Sequence, residues 1–251
     1  MTGGAPITRG LVLPCYNEEK RLPLEALREL RRLRPDVHLF LVDDGSTDGT
    51  FALFERAVAE LGAANVTAHR LAKNSGKAEA VRLGMRACIA RGAVQIGYAD
   101  ADFATPPREI LRLLSVLEEG THQVVLGSRV LRLGTEIQRS PVRHVLGRVF
   151  ATLASKAIDA NVYDTQCGAK WFRTSPALEL ALSRPFGSRW VFDVELLARL
   201  LGRLGDEPHL TDKDFLEVPV HAWRDVSGSK LRFPSMAGSL GELARLYVKR
   251  R

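Results

Sequence analysis

Two aspartates, Asp100 and Asp102, follow an apolar segment and precede two prolines, in the stretch YADADFATPP at positions 98 to 107. Side chains two residues apart on an extended strand point the same way, so both carboxylates would face one spot at the strand's carboxyl end. Open α/β sheets bind ligands at that edge. Two close carboxylates resist joint ionisation unless a cation lies between them or one keeps its proton. The spacing therefore predicts a divalent metal site.

Two more polar segments follow apolar runs, PCYNEE after the first predicted strand and VDDGSTD after the second. In a parallel sheet these segments and ADAD should gather at one edge, where carboxylates can accept hydrogen bonds from a ribose and a base. The alternative for Asp43 or Asp44 is to cap the following helix. A standard dinucleotide site or P-loop is not supported, because neither GxGxxG nor GxxxxGK is formed here.

Strand-like and helix-like segments alternate through the first half, which predicts βαβ units and an α/β fold with a mainly parallel, Rossmann-like sheet. After Arg129 the pattern changes: residues 129 to 141 show little periodicity and predict a basic loop, and residues 142 to 159 have helical spacing with a broad apolar face. Packing on the core is the usual role of such a face, and membrane contact is the alternative. The predicted strands are ITRGLVLP, VHLFLVDD, NVTAHRL, AVQIGYAD, HQVVLGS and, further on, FLEVPVHAW.

The composition is that of a globular protein, with 251 residues, 45% hydrophobic and 26% charged. A formal charge of +7 suits nucleic acid, an anionic membrane surface or phosphorylated small molecules. Only 7% of the residues are aromatic and no zinc-finger spacing occurs, which disfavours nucleic acid. Three cysteines without a CxxC pair predict reduced thiols. No run of signal-peptide or membrane-span length is present, so we expect a cytoplasmic protein.

An ordered set of segments resembles the family 2 glycosyltransferases of the GT-A fold. Within them the dolichyl-phosphate β-glucosyltransferases match best, and the dolichyl-phosphate mannose synthases next. The likeness runs from about residue 9 to the C-terminus. The segments that carry it are LPCYNEE, LVDDGSTDGT, NSGKAEAVRLGM, ADADFATP, VLGSR, RSPVRH, DTQCGAKWF, FDVELL and WRDVSGSK.

The resemblance implies one GT-A domain over residues 1–251, with a nucleotide-sugar-binding half at about 7–128 and an acceptor-binding half at about 129–251. It identifies Asp100 and Asp102 with the family's DxD motif, whose acids hold Mg²⁺ or Mn²⁺ against the sugar-nucleotide diphosphate, and so makes Asp102 catalytic. The other nucleotide-binding positions that it implies are Pro14, Tyr16, Glu18, Val42, Asp44, Lys77, Arg224 and Lys230, together with Asp100 itself.

The acceptor decides the function. A lipid monophosphate has a second pKa of about 6, so near neutral pH it is mostly a dianionic nucleophile that needs positive charge but no strong base. Arg129, Arg139 and Arg143 lie downstream of the metal motif, in the region that meets the lipid phosphate in the resembled family. Arginines can clamp a phosphate through two hydrogen bonds, which would make Arg129 catalytic as well. An ordinary surface position is the alternative for each.

A neutral hydroxyl acceptor would instead require a carboxylate base, and Asp193 and Glu195 in FDVE are then the candidates. A structural acid in the first turn of a helix is the alternative for both. Asp164 in DTQCG is expected to play a supporting role by pairing with Lys170.

The leading prediction is an inverting, metal-dependent transferase that moves glucose from UDP-glucose to a polyprenyl (dolichyl-type) phosphate. Alternatives are a soluble hydroxyl acceptor such as a secondary metabolite, and GDP-mannose or UDP-N-acetylglucosamine as donor. From a different class, a nucleotide-sugar-binding protein or a nucleic-acid-binding module would not need both DxD acids and the arginines. The basic amphipathic tail predicts either peripheral contact with the inner face of an anionic membrane or packing on the core; its residues include Leu240, Leu243, Arg245, Leu246, Tyr247 and Lys249.

Overall fold

The computed structural model describes residues 5–131, 133–138, 141–188, 191–226 and 233–249, without the side chains of residues 138, 141–146 and 233–237. The strands are β1 (Arg9–Cys15), β2 (Val37–Asp43), β3 (Val66–Arg70), β4 (Gln95–Ala99), β5 (Val124–Ser128), β6 (Glu136–Gln138), β7 (Ala169–Arg173), β8 (Phe215–Pro219) and β9 (Ala222–Arg224). The helices are α1 (Leu24–Leu33), α2 (Thr50–Leu61), α3 (Lys77–Ala90), α4 (Pro107–Glu119), α5 (Pro141–Ile158), α6 (Pro176–Ala181), α7 (Phe192–Leu200) and α8 (Phe233–Lys249), and a short 3₁₀ turn spans Asp212–Asp214.

Seven strands form one sheet in the order β3-β2-β1-β4-β7-β5-β8. The pairs among β1 to β4 and the pair β5–β8 are parallel, whereas β7 runs antiparallel between β4 and β5. The mainly parallel α/β sheet is thereby confirmed. Because β7 is reversed, its first residues lie at the carboxyl ends of its neighbours, with Ala169 opposite Ala99 and Lys170 opposite Leu126.

Both faces of the sheet are covered, which explains why β2 is buried along its whole length. Alternate residues of β1 enter two different cores. Val12 packs in the core that includes residues of α3, α5, α6, α7 and α8. Leu11 and Leu13 pack in the core that includes residues of α1, α2 and α4.

The second half of the chain follows the predicted elements with two differences. The predicted helix at residues 142 to 159 is α5. The supposed loop at residues 129 to 141 contains β6, which pairs in parallel with β9, so this prediction was wrong for Glu136–Gln138. A three-residue strand is too short to show periodicity. The single predicted strand FLEVPVHAW is two strands that belong to different sheets, β8 and β9.

Among the helices in the described ranges, none is long and apolar enough to cross a membrane.

Candidate active site

Asp100 and Asp102 lie on a turn at the carboxyl end of β4. The strand ends at Ala99, so the expected reason for their shared direction, an extended strand, was wrong. The turn instead closes through a hydrogen bond from the Phe103 amide to the Asp100 carbonyl at 3.1 Å, and Phe103 has a φ of 50°. Burial raises the pKa of Asp102, and the neighbouring charge of Asp100 raises it further. The two carboxylates therefore act on one another, as their spacing predicted.

Each carboxylate of the DxD turn has a cation from a different loop. Lys77, the first residue of α3, forms an ion pair with Oδ1 of Asp100. Nη2 of Arg21 donates to Oδ2 of Asp102 at 2.6 Å. The resemblance had named Lys77 as a nucleotide-binding residue, whereas Arg21, the second residue after the PCYNEE segment, was missed. The result is a site with two anions and two cations, a combination suited to a ligand that itself carries phosphates and a metal ion.

The donor set fits a hard divalent ion only if the substrate completes it. Carboxylate oxygens are the ligands that Mg²⁺ and Mn²⁺ prefer, and Asp100 and Asp102 provide them. Within the residues that the structure describes, no group of three or more His, Cys, Asp or Glu side chains could hold a metal ion. An ion held by the DxD turn would thus take further ligands from phosphate oxygens and water, as Mg²⁺ commonly does.

Gly168 provides the space for the Asp100 side chain. A Cβ atom at this position would collide with the Asp100 carboxylate. The Asp100 amide also donates to the Gly168 carbonyl at 2.9 Å, so β7 enters the sheet against the DxD turn. Gly168 is a further functional candidate, which the sequence marked only as part of DTQCGAK.

The acids after β2 fix backbone loops. Asp44 accepts from the amides of Ser75 and Gly76 at 2.7 and 2.8 Å, which holds the loop that leads to Lys77. Asp43 accepts from the Ser46 amide at 2.8 Å. Neither carboxylate caps α2, the alternative that the sequence had suggested; near its start Asp48 accepts from the Thr50 amide.

The other nucleotide candidates after β1 and β2 lie at the same edge of the sheet. Pro14 and Val42 are buried and adjacent, since they are paired residues of β1 and β2. Glu18 is buried in the loop after β1, where its amide donates to Thr50 Oγ1 at 2.8 Å, and Tyr16 is half-buried in the same loop. Their contact with a nucleotide stays a prediction.

Arg129 follows β5 and forms a two-point ion pair with Asp164. Its Nε donates to Oδ2 at 2.6 Å and its Nη2 to Oδ1 at 2.8 Å. Burial alone would raise the pKa of Asp164, but the charge of Arg129 outweighs it and brings the pKa to about 2. Burial likewise opposes the charge of Arg129, while Asp164 and, more weakly, Asp100 raise its pKa. Arg129 is therefore a permanently charged group within electrostatic reach of the DxD turn.

The two other arginines that were predicted to meet the acceptor cannot be placed in the same way. Arg139 lies outside the described residues, and Arg143 lies on α5 with its side chain outside them. Lys230 lies outside the described residues altogether. Arg224 ends β9, and its amide donates to the carbonyl of Ala104, two residues after Asp102, at 2.9 Å. Its side chain is 67% exposed at this position.

Asp193 lies in the first turn of α7, as predicted, inside a buried polar cluster. Lys170 donates from Nζ to Asp193 Oδ1 at 2.8 Å, and the Tyr98 hydroxyl donates to the same oxygen. Burial and the charge of Asp193 raise the pKa of Tyr98, which keeps it a donor. The expected pairing of Lys170 with Asp164 was wrong. Lys170 stands opposite Tyr98 across β7 and β4, within reach of α7, while Arg129 takes Asp164.

Comparison with known proteins decides the family. The model of the family described as "Glycosyl transferase family 2" matches residues 11–180, more than half of the chain.

This chain belongs to glycosyl transferase family 2.

Its relatives confirm the resemblance found in the sequence. The glycosyltransferase is 35% identical over 243 residues to a dolichyl-phosphate beta-glucosyltransferase from Homo sapiens, across 88% of this chain and 68% of the relative. It is 32% identical over 199 residues to a polyprenol monophosphomannose synthase from Mycolicibacterium smegmatis, across 78% of this chain and 73% of the relative.

Solved structures confirm the GT-A fold of this family 2 glycosyltransferase. Glucosyl-3-phosphoglycerate synthase from Mycobacterium tuberculosis, crystallised with Mn²⁺, UDP and glucosyl-3-phosphoglycerate, superposes with a TM-score of 0.63 at 21% identity. The match covers 97% of this chain and 80% of that chain. The protein is an enzyme of the glycosyltransferase class, built on the mainly parallel sheet described above.

Proposed function

We propose that this glycosyltransferase moves glucose from UDP-glucose to a polyprenyl phosphate and releases UDP. The proposal is supported by the identity to dolichyl-phosphate beta-glucosyltransferases from several organisms. The observation that carries it is that the acidic DxD turn and an arginine lie next to one another at the same edge of the sheet. The DxD turn follows β4, and the Arg129–Asp164 pair follows β5, on either side of β7.

The donor end of the site is proposed to bind the diphosphate. Asp100 and Asp102 would hold Mg²⁺ or Mn²⁺, which neutralises charge on the leaving diphosphate. Lys77, Arg21 and the exposed Arg224 are the cations that would bind phosphate oxygens. All of these groups except Arg224 lie in the nucleotide-sugar half, at about residues 7–128, of the single proposed domain, and the amide of Arg224 donates to Ala104 in that half.

The acceptor end is proposed to bind the lipid phosphate through Arg129. A phosphate oxygen forms a bond to the anomeric carbon while the bond from that carbon to UDP breaks, and the electron pair leaves on UDP. In-line displacement inverts the anomeric carbon and yields a β-linked sugar phosphate from an α-linked donor. The phosphate dianion needs no base, so Asp193, already an acceptor for Lys170 and Tyr98, serves here to fix the cluster beside the DxD turn.

A soluble hydroxyl acceptor would change the role of Asp193. Deprotonation of a hydroxyl requires a base that reaches the reacting atoms. Asp193 is only 5% exposed. We therefore place the phosphate acceptor first and keep the hydroxyl acceptor as the alternative that the experiment below separates.

Helix α8 is proposed to contact an anionic membrane surface. Leu240, Tyr247 and Val248 are 45%, 40% and 70% exposed, at spacings that place them along one side of the helix. Leu243 and Leu246 face the core instead. Exposed Arg245 and Lys249 border the apolar side chains, and positive charge beside an exposed apolar stripe suits anionic lipid.

Sedimentation with phosphatidylglycerol vesicles tests this contact, and the protein should be recovered in the vesicle pellet. Val248→Glu should weaken binding, and neutral phosphatidylcholine vesicles should bind poorly.

The transfer reaction is tested by extraction of radiolabelled sugar into organic solvent. The purified protein receives UDP-glucose, GDP-mannose or UDP-N-acetylglucosamine, with Mn²⁺ or Mg²⁺ and undecaprenyl phosphate, and EDTA and lipid-free reactions are the controls. We expect lipid-dependent label from UDP-glucose that EDTA abolishes. Asp102→Asn should reduce it at least about 100-fold, since metal stabilisation of the leaving group contributes several kcal/mol. Glu25→Gln, which changes a 78% exposed acid on α1, should leave it unchanged. Metal-dependent UDP release that requires a cell extract instead of lipid would establish the soluble-acceptor alternative.

A further inference from the structure

Trp223 on β9 packs against the acceptor arginine. The Cζ atom of Arg129 lies 5.4 Å from the centre of the Trp223 ring. Trp223 is 7% exposed, and the Arg129 side chain is 13% exposed. An arginine at this distance is attracted to the face of an indole, and the attraction is larger where water is excluded. Arg129 is therefore held by two kinds of contact, the ion pair with Asp164 and the ring of Trp223.

The same residue joins three parts of the site. Trp223 pairs with Ile137 of β6 in the two-stranded sheet. It forms a small hydrophobic cluster with Ala104 and Val220, against which Ile137 packs. The next residue, Arg224, donates its amide to the Ala104 carbonyl beside the DxD turn.

We infer that Trp223 is a positioning residue for the acceptor phosphate, an inference that rests on the function proposed above. Stacking uses the face of the guanidinium and none of its N–H groups. The ring therefore restricts Arg129 without engaging any N–H group beyond those that already donate to Asp164. Asp164 holds two N–H groups of Arg129, and Trp223 limits rotation of the guanidinium about that pair. Through this contact the orientation of the acceptor phosphate relative to the DxD turn depends on β9.

The test separates acceptor binding from donor binding by steady-state kinetics. Farnesyl phosphate and UDP-glucose are varied in turn for the wild type, Trp223→Leu and Trp223→Phe. Loss of a desolvated arginine–indole contact predicts a rise of about five- to thirtyfold in the KM for farnesyl phosphate with Trp223→Leu. The KM for UDP-glucose should change by less than about twofold, since the donor cations keep their own partners. Trp223→Phe, which retains an aromatic face, should recover most of the loss.

Phe186→Leu is the matched control. It removes another arginine–aromatic stack, in which the Arg199 Cζ lies 4.7 Å from the Phe186 ring centre, without touching the Arg129 pair. Its KM for farnesyl phosphate should equal that of the wild type.

A double-mutant cycle covers the case in which Trp223→Leu does not fold. If Trp223 acts through Arg129, the effect on the acceptor KM of Trp223→Met, which removes the aromatic ring but keeps a long apolar side chain, should shrink in the Arg129→Lys background.

Three outcomes overturn the inference: an unchanged acceptor KM in Trp223→Leu, equal rises in both KM values, or strict additivity in the cycle. Each of these leaves lipid-phosphate transfer by the wild type standing. A wild type that glycosylates no polyprenyl phosphate removes the proposed function, and the inference with it.

Discussion

Arg21 donates from Nη2 to Oδ2 of Asp102 at 2.6 Å, which links the loop after β1 to the turn after β4. Arg21 also lies 3.3 Å from Glu18, through Nη1 to Oε1. The arginine therefore joins a predicted nucleotide residue to a predicted metal ligand, and both anions share its charge. Removing Arg21 should therefore weaken donor binding but strengthen metal binding.

Arg21→Gln should raise the KM for UDP-glucose and lower the Mn²⁺ concentration needed for half-maximal rate. The donor loses a charge-assisted hydrogen bond, for which a roughly tenfold rise in KM is expected. The DxD turn loses a competing cation, so it should attract the metal ion more strongly. Titrations of donor and of Mn²⁺ measure the two effects. Arg28→Gln, on the outer side of α1 with exposed partners Glu25 and Glu60, is the control. Changes in the same direction for donor and metal would contradict the assignment.

Gly168→Ala should impair catalysis more than folding. The added methyl group would displace the Asp100 carboxylate, and displacement of a reacting geometry by about 1 Å can cost on the order of 100-fold in rate. We expect kcat/KM to fall by about that factor with a melting temperature near that of the wild type. At Gly241 a methyl group meets nothing within 4 Å, so Gly241→Ala is the matched control. Full activity of Gly168→Ala would show that Asp100 tolerates the shift.

Lys170→Met should destabilise the fold by about 3–5 kcal/mol, because it leaves the Asp193 carboxylate buried without its cation. Lys170 is fully buried and Asp193 is 5% exposed, so water cannot replace the lost contact. The free energy of unfolding, from urea titration, measures the loss. The double variant Lys170→Met with Asp193→Asn should be more stable than Lys170→Met alone. Equal stability of the two would mean that the pair is not coupled.

Asp164→Asn should be less stable than the wild type near neutral pH and equally stable at strongly acidic pH. The folded-state pKa of Asp164, about 2, lies below the ordinary value of 3.8. Ionised Asp164 therefore stabilises the fold fully above about pH 4, and this advantage of about 2 kcal/mol is lost as the pH falls toward 2. Unfolding free energies at pH 2, 3, 4 and 7 should show the gap between wild type and variant closing at low pH. A constant gap would refute the depressed pKa.

The sheet and the edge that carries the site could be predicted because each strand ends in a distinctive polar group. Asp44, Asp100 and Arg129 follow β2, β4 and β5, and parallel strands must bring such groups to one edge. The contacts that β7 makes with these groups could not be predicted. The sequence of β7, AKWFR, carries no sign of strand direction. The reversal of β7, which places Lys170 beside Tyr98 and Gly168 beside Asp100, became visible only in the structure.

Very short strands and the partners of long charged side chains could not be predicted from the sequence either. β6 has three residues, too few to show an alternating pattern, yet it pairs with β9, whose Trp223 lies against Arg129. Arg21 lies in a charged stretch, NEEKR, in which Lys20 could equally have met the DxD turn. Sequence spacing predicts the edge of the sheet at which a residue lies, but the ion-pair partner of a long side chain depends on the three-dimensional arrangement of the loops.

The parallel pairing of β6 with β9 constrains how the proposed acceptor site of this enzyme can be altered. A slip of one residue along a strand turns every side chain to the other face. An insertion within β6 would thus turn Ile137 away from Trp223 and change the surroundings of Arg129. Gly134, where an added methyl group meets nothing within 4 Å, lies before the paired residues and can absorb a change of length. Redesign for new acceptors should accordingly vary loop length at that glycine and vary only side chains within the paired strands.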